Sequence, residues 1–230
     1  MNDYTITPIA RIRSDFPEKF GIPRQSGVVE SLTARIVFEP EYRHADALRG
    51  LEGFSHIWLI WQFSENLRES WRPTVRPPRL GGNERMGVFA TRSPFRPNAL
   101  GLSCVRLLSI EHGADGPVLA VAGADLMDGT PIYDIKPYLP YVDCHPGARG
   151  GITEQRAWQQ LQVEVADGLA DKLTDADWQV LREVLAQDPR PHYHHDDQRE
   201  YGMPFMDWDV RFRVADGCVK VVGMRKLSAV

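Results

Sequence analysis

Two neighbouring stretches, Leu102-Ser-Cys-Val-Arg-Leu-Leu-Ser-Ile110 and Pro117-Val-Leu-Ala-Val-Ala-Gly-Ala-Asp-Leu126, decide the fold class. Each is short and rich in apolar and β-branched residues, and a Gly-containing loop separates them, which is the pattern of β-strands. The same pattern recurs upstream. Thr5 to Ile12, Ala34 to Phe38, His56 to Phe63 and Met86 to Thr91 are further strand candidates. Only one short helical stretch, near His44 to Arg49, interrupts them. Strands at such close intervals, without helices between them, read as a barrel or a sandwich rather than as alternating β and α units.

The character of the chain changes at Pro146-Gly-Ala-Arg-Gly-Gly151. Small residues and Gly make a linker, so residues 5–145 form one predicted domain and 152–230 a second. The second begins with the alternating strand Leu161-Gln-Val-Glu-Val165. Thr174 then caps a helix on the backbone N–H of Asp177, with Asp175 and Asp177 at the positive end of its dipole. Trp178, Leu181, Val184 and Leu185 share one helix face, and Asp188-Pro189 ends it. Trp208, Val210, Phe212 and Val214 alternate, Asp216-Gly217 turns, and Val219 and Val221 alternate back. The predicted architecture is therefore mainly β, an antiparallel β-barrel or sandwich followed by a small α+β domain. So few elements need docking on the first domain or on a partner.

The bulk composition excludes several classes. At 43% hydrophobic and 25% charged, the 230-residue chain is of ordinary soluble type. No apolar run approaches the roughly 20 residues of a membrane span; Ile57-Trp-Leu-Ile-Trp61, as long as any, is strand-sized. Met1-Asn-Asp-Tyr-Thr-Ile lacks a signal core, and Cys104, Cys144 and Cys218 read as free thiols, so a cytoplasmic location is expected. There is no G-x-G-x-x-G after a strand and no phosphate-loop motif. None of the Cys has a neighbour that activates it, and no Ser sits in G-x-S-x-G.

Charge is unevenly placed. Between Arg68 and Arg96 stand seven Arg, no Lys and only Glu69 and Glu84, so this window is +5 in a chain of formal charge -4. Guanidinium groups bond phosphate oxygens bidentately and stack on bases. Interleaved Pro and Gly keep them on stiff loops, which suits a cationic surface for a phosphate-bearing partner as well as a solvated loop. Arg190, between Pro189 and Pro191 and near Tyr193, suits phosphate contact, base stacking or plain packing. Asp125-Leu-Met-Asp-Gly-Thr-Pro131, followed by Asp134, ends a strand with carboxylates able to accept from a ligand's hydroxyl or ammonium groups, or to cap their own turn. These three lack calcium-loop spacing, and His192, His194 and His195 lack the spacing of a metal site, so no metal is expected.

Pro23-Arg-Gln25, Leu51-Glu-Gly-Phe-Ser-His-Ile-Trp58, Trp71-Arg-Pro-Thr-Val-Arg-Pro-Pro-Arg-Leu-Gly-Gly-Asn83, Met86-Gly-Val-Phe-Ala-Thr-Arg-Ser-Pro-Phe-Arg-Pro-Asn98, Asp125 to Lys136 and Leu185-Ala-Gln-Asp-Pro-Arg-Pro191, in this order, resemble the TsaA-like family. The resemblance spans both halves of the chain. It implies a small single-sheeted β-barrel, a homodimer, and a tRNA methyltransferase using S-adenosylmethionine. The implied target is N6 of N6-threonylcarbamoyladenosine, 3′ of the anticodon in threonine tRNA. The implied cofactor contacts are Gln25, Ser26, Gly27, Phe63, Ser64, Arg92, the backbone at Leu102, and the turn Asp125, Leu126, Met127, Asp128. Ser26 and Ser64 depart from the family, where Pro and His are common, so no imidazole is available at position 64.

Methyl transfer needs alignment and exclusion of water more than a covalent nucleophile. A group must still help the N6 proton leave, and Asp125, Asp128 and Asp134 are the catalytic candidates. Arg72, Arg76, Arg79, Arg85 and Arg190 are the expected RNA contacts. Because every implied cofactor contact precedes Arg149, a chain ending there is expected to keep cofactor binding. Two other readings stay open: a cofactor- and RNA-binding module without catalysis, and a methyltransferase for a small metabolite.

Overall fold

The computed structural model describes residues 4–66, 71–77, 84–154, 159–190 and 196–227. Six strands close a barrel: β1 (Ala10–Arg13), β2 (Thr33–Phe38), β3 (His56–Gln62), β6 (Leu100–Gly113), β7 (Gly116–Ala122) and β8 (Pro131–Pro137), in the order β1-β2-β7-β6-β3-β8. Every neighbouring pair is antiparallel. The short strands β4 (Thr74–Val75) and β5 (Met86–Gly87) pair outside the barrel. Period-two alternation points Ala10 and Ile12, Ala34, Ile36 and Phe38, Ile57, Leu59 and Trp61, and Leu119 and Val121 inward. They fill the interior, as a barrel of this size requires. Trp61 lies opposite Gly101, where a Cβ would come 2.2 Å from the indole, so only Gly admits this ring.

The second unit is a four-stranded sheet in the order β10-β11-β12-β9. It comprises β9 (Gln162–Val165), β10 (Tyr201–Phe205), β11 (Trp208–Ala215) and β12 (Cys218–Lys226). β9 runs parallel to β12, and the other pairs are antiparallel. Of the two α-helices among the described residues, α1 (Pro140–Asp143) is a single turn, whereas α2 (Asp175–Ala186) packs on the sheet with Trp178, Leu181, Val184 and Leu185 buried. The Asp177 N–H donates to Thr174 Oγ1 at 3.2 Å, the expected cap. Ala215 pairs with Cys218 around Asp216 and Gly217, both at positive φ, which is the expected tight hairpin.

Three elements differ from the sequence expectation. Met86 to Thr91 is not a barrel strand: after Gly87 it turns into a 3-10 segment, Val88–Ala90, whose Phe89 is 73% exposed. β8 carries Pro at both ends and Asp134 and Lys136 between, which hides its strand character. β10 contains Gly202 and Pro204 and is tolerated because it lies at the sheet edge.

The two units share a core. Phe16, Val29 and Leu32 belong to the connection between β1 and β2, yet they are buried among Trp178, Leu181, Tyr201, Met203, Phe205 and Phe212. Phe16 meets Phe205 edge-on at 6.1 Å, and Phe20 stacks on Phe212 at 6.4 Å. Gly21, at φ +96°, sits so close to Met203 that a Cβ would fall 2.2 Å from its sulfur. Met206 N–H donates to Asp15 O at 3.1 Å, and Ser31 Oγ donates to Glu183 Oε2 at 2.7 Å. Residues 14–32 therefore leave the barrel, enter the second core and return. Phe16→Ala should cost about 3–5 kcal/mol and lower the melting temperature by roughly 6–15 °C. Both units should melt in one transition. Two separate transitions would show that this packing does not couple them.

Candidate functional site

The same β1–β2 connection carries Gln25, Ser26 and Gly27 onto the rim of the barrel. Ser26 Oγ accepts from Cys104 N–H of β6 at 3.1 Å. Gly27 N–H donates to Gly123 O at 2.9 Å, and Gly123 N–H donates to Leu32 O at 2.8 Å. Gly123 is at φ +78°, and a Cβ there would stand 3.3 Å from Gly27 Cα. The two backbones approach closely because neither residue has a side chain.

Asp125 follows this contact. Its Oδ1 accepts from Ser103 Oγ at 2.5 Å, and Ser103 Oγ in turn accepts from Trp61 Nε1–H at 2.9 Å. Ser103 is fully buried, and its inward position follows from the alternation of β6. Arg92 donates from Nη1 to Gln25 Oε1, and Gln25 donates from Nε2 to Arg24 O. Gln25, Ser26, Arg92 and Asp125 are thus brought together from three separate segments. Ser103 and Trp61 complete the group. The alternation of β6 could have revealed Ser103, since a hydroxyl inside a barrel must find a partner.

Asp125 keeps part of its surface open, but protein surrounds most of it. Desolvation pushes its pKa up to about 6, against the opposing pull of the Ser103 hydroxyl, the Arg92 charge and the Ser26 backbone N–H. The site therefore holds a carboxylate at neutral pH that is poorly solvated and open to a cation.

Other expected site residues fall around this group in different ways. Phe63 is half-buried, its ring 4.3 Å from that of Trp61, and Ser64 is exposed at the start of a 3-10 turn. Leu126 is buried in the barrel core. Met127 lies on the turn before Gly129 and is half-buried. Leu102 is 53% exposed, on the outer barrel wall opposite Ile60, so only its backbone borders Ser103. Asp128 turns toward β1, where it accepts from Ser14 N–H at 3.1 Å and pairs with Arg13 at 3.4 Å. Asp134 pairs with Lys136 at 2.8 Å on the outside. Of the three carboxylates, Asp125 alone joins Gln25 and Arg92; Asp128 ties down a turn and Asp134 a strand surface.

The arginines divide as well. Arg72, Arg76 and Arg85 are exposed on or beside the β4–β5 ribbon, next to Trp71, 50% exposed, and Phe89. These two rings lie 6.2 Å apart and add a stacking surface that Arg counting overlooked. Arg79 lies outside the described residues, as do His192, His194 and His195. Arg190 is only 19% exposed and turned onto Asp188, in the seam between the units rather than on an open surface. Among the described residues, no cluster of His, Cys, Asp and Glu could hold a metal, and no helix is long and apolar enough to cross a membrane.

The raised pKa of Asp125 carries a stability cost of definite sign. The folded carboxyl binds its proton more tightly than the unfolded one, whose pKa is near 3.8. Stability therefore falls as pH rises from about 4 to about 6, and the loss is complete above that, at most about 3 kcal/mol. Asp125→Asn keeps an acceptor for Ser103. It should raise the melting temperature at pH 8 by roughly 4–8 °C and change it little at pH 4. Equal melting curves at pH 8, measured by calorimetry, would contradict the strained carboxylate.

Residues 11–144 match the family model of the tRNA-methyltransferase O N-terminal domain, and 158–227 that of the TrmO C-terminal domain. The chain is 41% identical over 232 residues to a tRNA (adenine(37)-N6)-methyltransferase of Escherichia coli (strain K12), covering 97% of this chain and 99% of that one. It is 41% identical over 216 residues to a putative S-adenosylmethionine-dependent methyltransferase, RcsF, of Pseudomonas aeruginosa, covering 91% and 92%. A crystal structure of TrmO from Pseudomonas aeruginosa superposes with a TM-score of 0.78 at 33% identity, covering 97% of this chain and 99% of that one. Two family models across both units, and relatives matched along nearly their whole length, place this chain in the TrmO family of tRNA methyltransferases.

Proposed function

We propose that this protein transfers a methyl group from S-adenosylmethionine to N6 of adenosine 37 of tRNA, and that the substrate base is N6-threonylcarbamoyladenosine, 3′ of the anticodon in threonine tRNA. The names borne by the relatives supply the reaction class. The observation that carries the assignment to a site is the recessed Asp125 carboxylate beside the Arg92 guanidinium and the Gln25 amide. These groups fit the cofactor. A carboxylate of this kind suits a sulfonium or ammonium charge, and Arg92 suits an α-carboxylate. Phe63 offers a face to adenine or to a methyl group.

When bound, S-adenosylmethionine supplies an electrophilic methyl on a positively charged sulfur. Gln25 and Arg92, already paired, orient the polar end of the ligand, and the backbone at Ser26 and Gly27 leaves room beside them. Ser103 and Trp61 fix the direction of the Asp125 carboxylate. Its negative charge favours a cation next to it, and that cation in turn keeps Asp125 ionised. Ionised, Asp125 would be the carboxylate placed to accept the proton lost from N6. Asp128 and Asp134, tied to Ser14, Arg13 and Lys136, have structural roles in this reading.

Arg72, Arg76 and Arg85 form the surface for anticodon-loop phosphates, and Trp71 and Phe89 serve bases that leave the stack; Arg79 is assigned the same role from its sequence alone. The outer wall of β3 and β6 supports a homodimer. Leu100, Leu102, Tyr141 and Val142 are all exposed, and α1 is held to this wall by Trp58 Nε1–H donating to Asp143 Oδ2 at 3.0 Å. Cytoplasmic tRNA is the proposed pool of substrate.

Mass spectrometry of nucleosides tests the substrate. Incubation with S-adenosylmethionine and threonine tRNA carrying N6-threonylcarbamoyladenosine should yield its N6-methyl derivative, and Arg92→Ala should abolish most of the product at limiting cofactor. Arg76→Ala should lower the slope of log tRNA affinity against log salt by about one. Methylation of unmodified adenosine 37 instead would refute the proposed base.

A further inference from the structure

We propose that the Asp188–Arg190 turn of the second unit positions the cofactor pocket of the barrel, acting through Arg24 on Gln25 and Arg92. This rests on the pocket assignment above. The turn is firmly held. Gln187 N–H donates to Val184 O at 3.1 Å and Asp188 N–H to Leu185 O at 3.0 Å, so the turn continues the end of α2. Asp188 then adopts φ +51°, the left-handed turn that commonly closes a helix and that Asp tolerates. Arg190 clamps its side chain. Its Nε donates to Asp188 Oδ1 at 3.0 Å and to Oδ2 at 3.1 Å, across a stiff Pro189, with the two side chains 19% and 13% exposed.

That geometry aims the Asp188 carbonyl at the barrel side of the seam, where it accepts from Arg24 Nη2 at 3.2 Å. Arg24 immediately precedes Gln25, and its own carbonyl accepts from the Gln25 amide, whose oxygen in turn accepts from Arg92. An unbroken series of hydrogen bonds therefore runs from α2 to the pocket: Arg190 to Asp188, Asp188 to Arg24, Arg24 to Gln25, and Gln25 to Arg92. None of the first three touches the proposed reacting atoms. They are positioning residues, and their effect should appear in cofactor affinity rather than in the chemical step.

Titration calorimetry with S-adenosylmethionine and the full chain, in the absence of tRNA, separates this role from RNA contact. Arg24→Ala and Arg190→Ala should each weaken cofactor binding about 5- to 20-fold, and the double variant should be no worse than the poorer single one, because both interrupt one path. At saturating cofactor and tRNA, turnover should fall by less than about 2-fold. Asp188→Asn, which keeps an acceptor for Arg190 and tolerates positive φ, should retain most of the affinity. If Arg190→Ala does not fold, Arg24→Gln carries the same test. Unchanged cofactor affinity in the seam variants with weakened tRNA binding, or additive losses in the double variant, would overturn the proposal. Arg92→Ala serves as the reference. A loss there alone rejects the positioning role and keeps the pocket. No loss in any variant rejects both.

Discussion

Phe16, Val29 and Leu32 lie between two barrel strands in sequence but are buried in the apolar core of the second sheet, and the arrangement of the site depends on that burial. A fully buried Phe and Leu contribute on the order of 2–3 kcal/mol each by removal from water, enough to hold an irregular connection that has no regular secondary structure of its own between Arg13 and Thr33. That connection carries Gln25, Ser26 and Gly27. The proposed cofactor site therefore has barrel strands on one side and, on the other, a loop packed against the second unit. This packing argues against the expectation that a chain ending near Arg149 would keep the cofactor site merely because its contacts come earlier. Without the second core, three large apolar side chains would lose their partners and the loop its shape.

Within that frame the chemistry depends on a small polar group surrounded by apolar packing. Gly101 admits the Trp61 indole, the indole N–H reaches Ser103, and Ser103 holds the Asp125 carboxylate within the field of the Arg92 charge. The indole N–H and the Ser103 hydroxyl each have a partner, which is why the barrel tolerates them. The remaining cost, a carboxyl held near pH 6, is the kind of strain expected where a fold prepares to receive a charged ligand.

Local pattern made the regular parts legible. The alternation of Trp208, Val210, Phe212 and Val214 and the Asp216-Gly217 turn fix the hairpin, and Thr174 with Asp177 fixes the start of α2. The strand Pro131–Pro137 escaped because its ends are Pro and its outward positions are charged, and Tyr201–Phe205 escaped because Gly and Pro are admissible only at an edge. Gln25, Arg92 and Asp125 stand out as residues, but their meeting depends on contacts 67 and more positions apart, which no spacing rule reports. Arg190 is the converse case. Its Pro-flanked turn suited phosphate contact, base stacking or plain packing alike, and only the tertiary structure shows its guanidinium on Asp188.

The central claim is that Asp125 receives the positive charge of the cofactor. Titration calorimetry at pH 6 in buffers of different ionisation enthalpy measures it directly, because a cation bound beside a carboxyl that is about half protonated there must drive the proton off. The account predicts release of up to about half a proton per site on binding S-adenosylmethionine, declining toward pH 8 and absent in Asp125→Asn. Binding without proton release at pH 6, or the same release from Asp125→Asn, would contradict it.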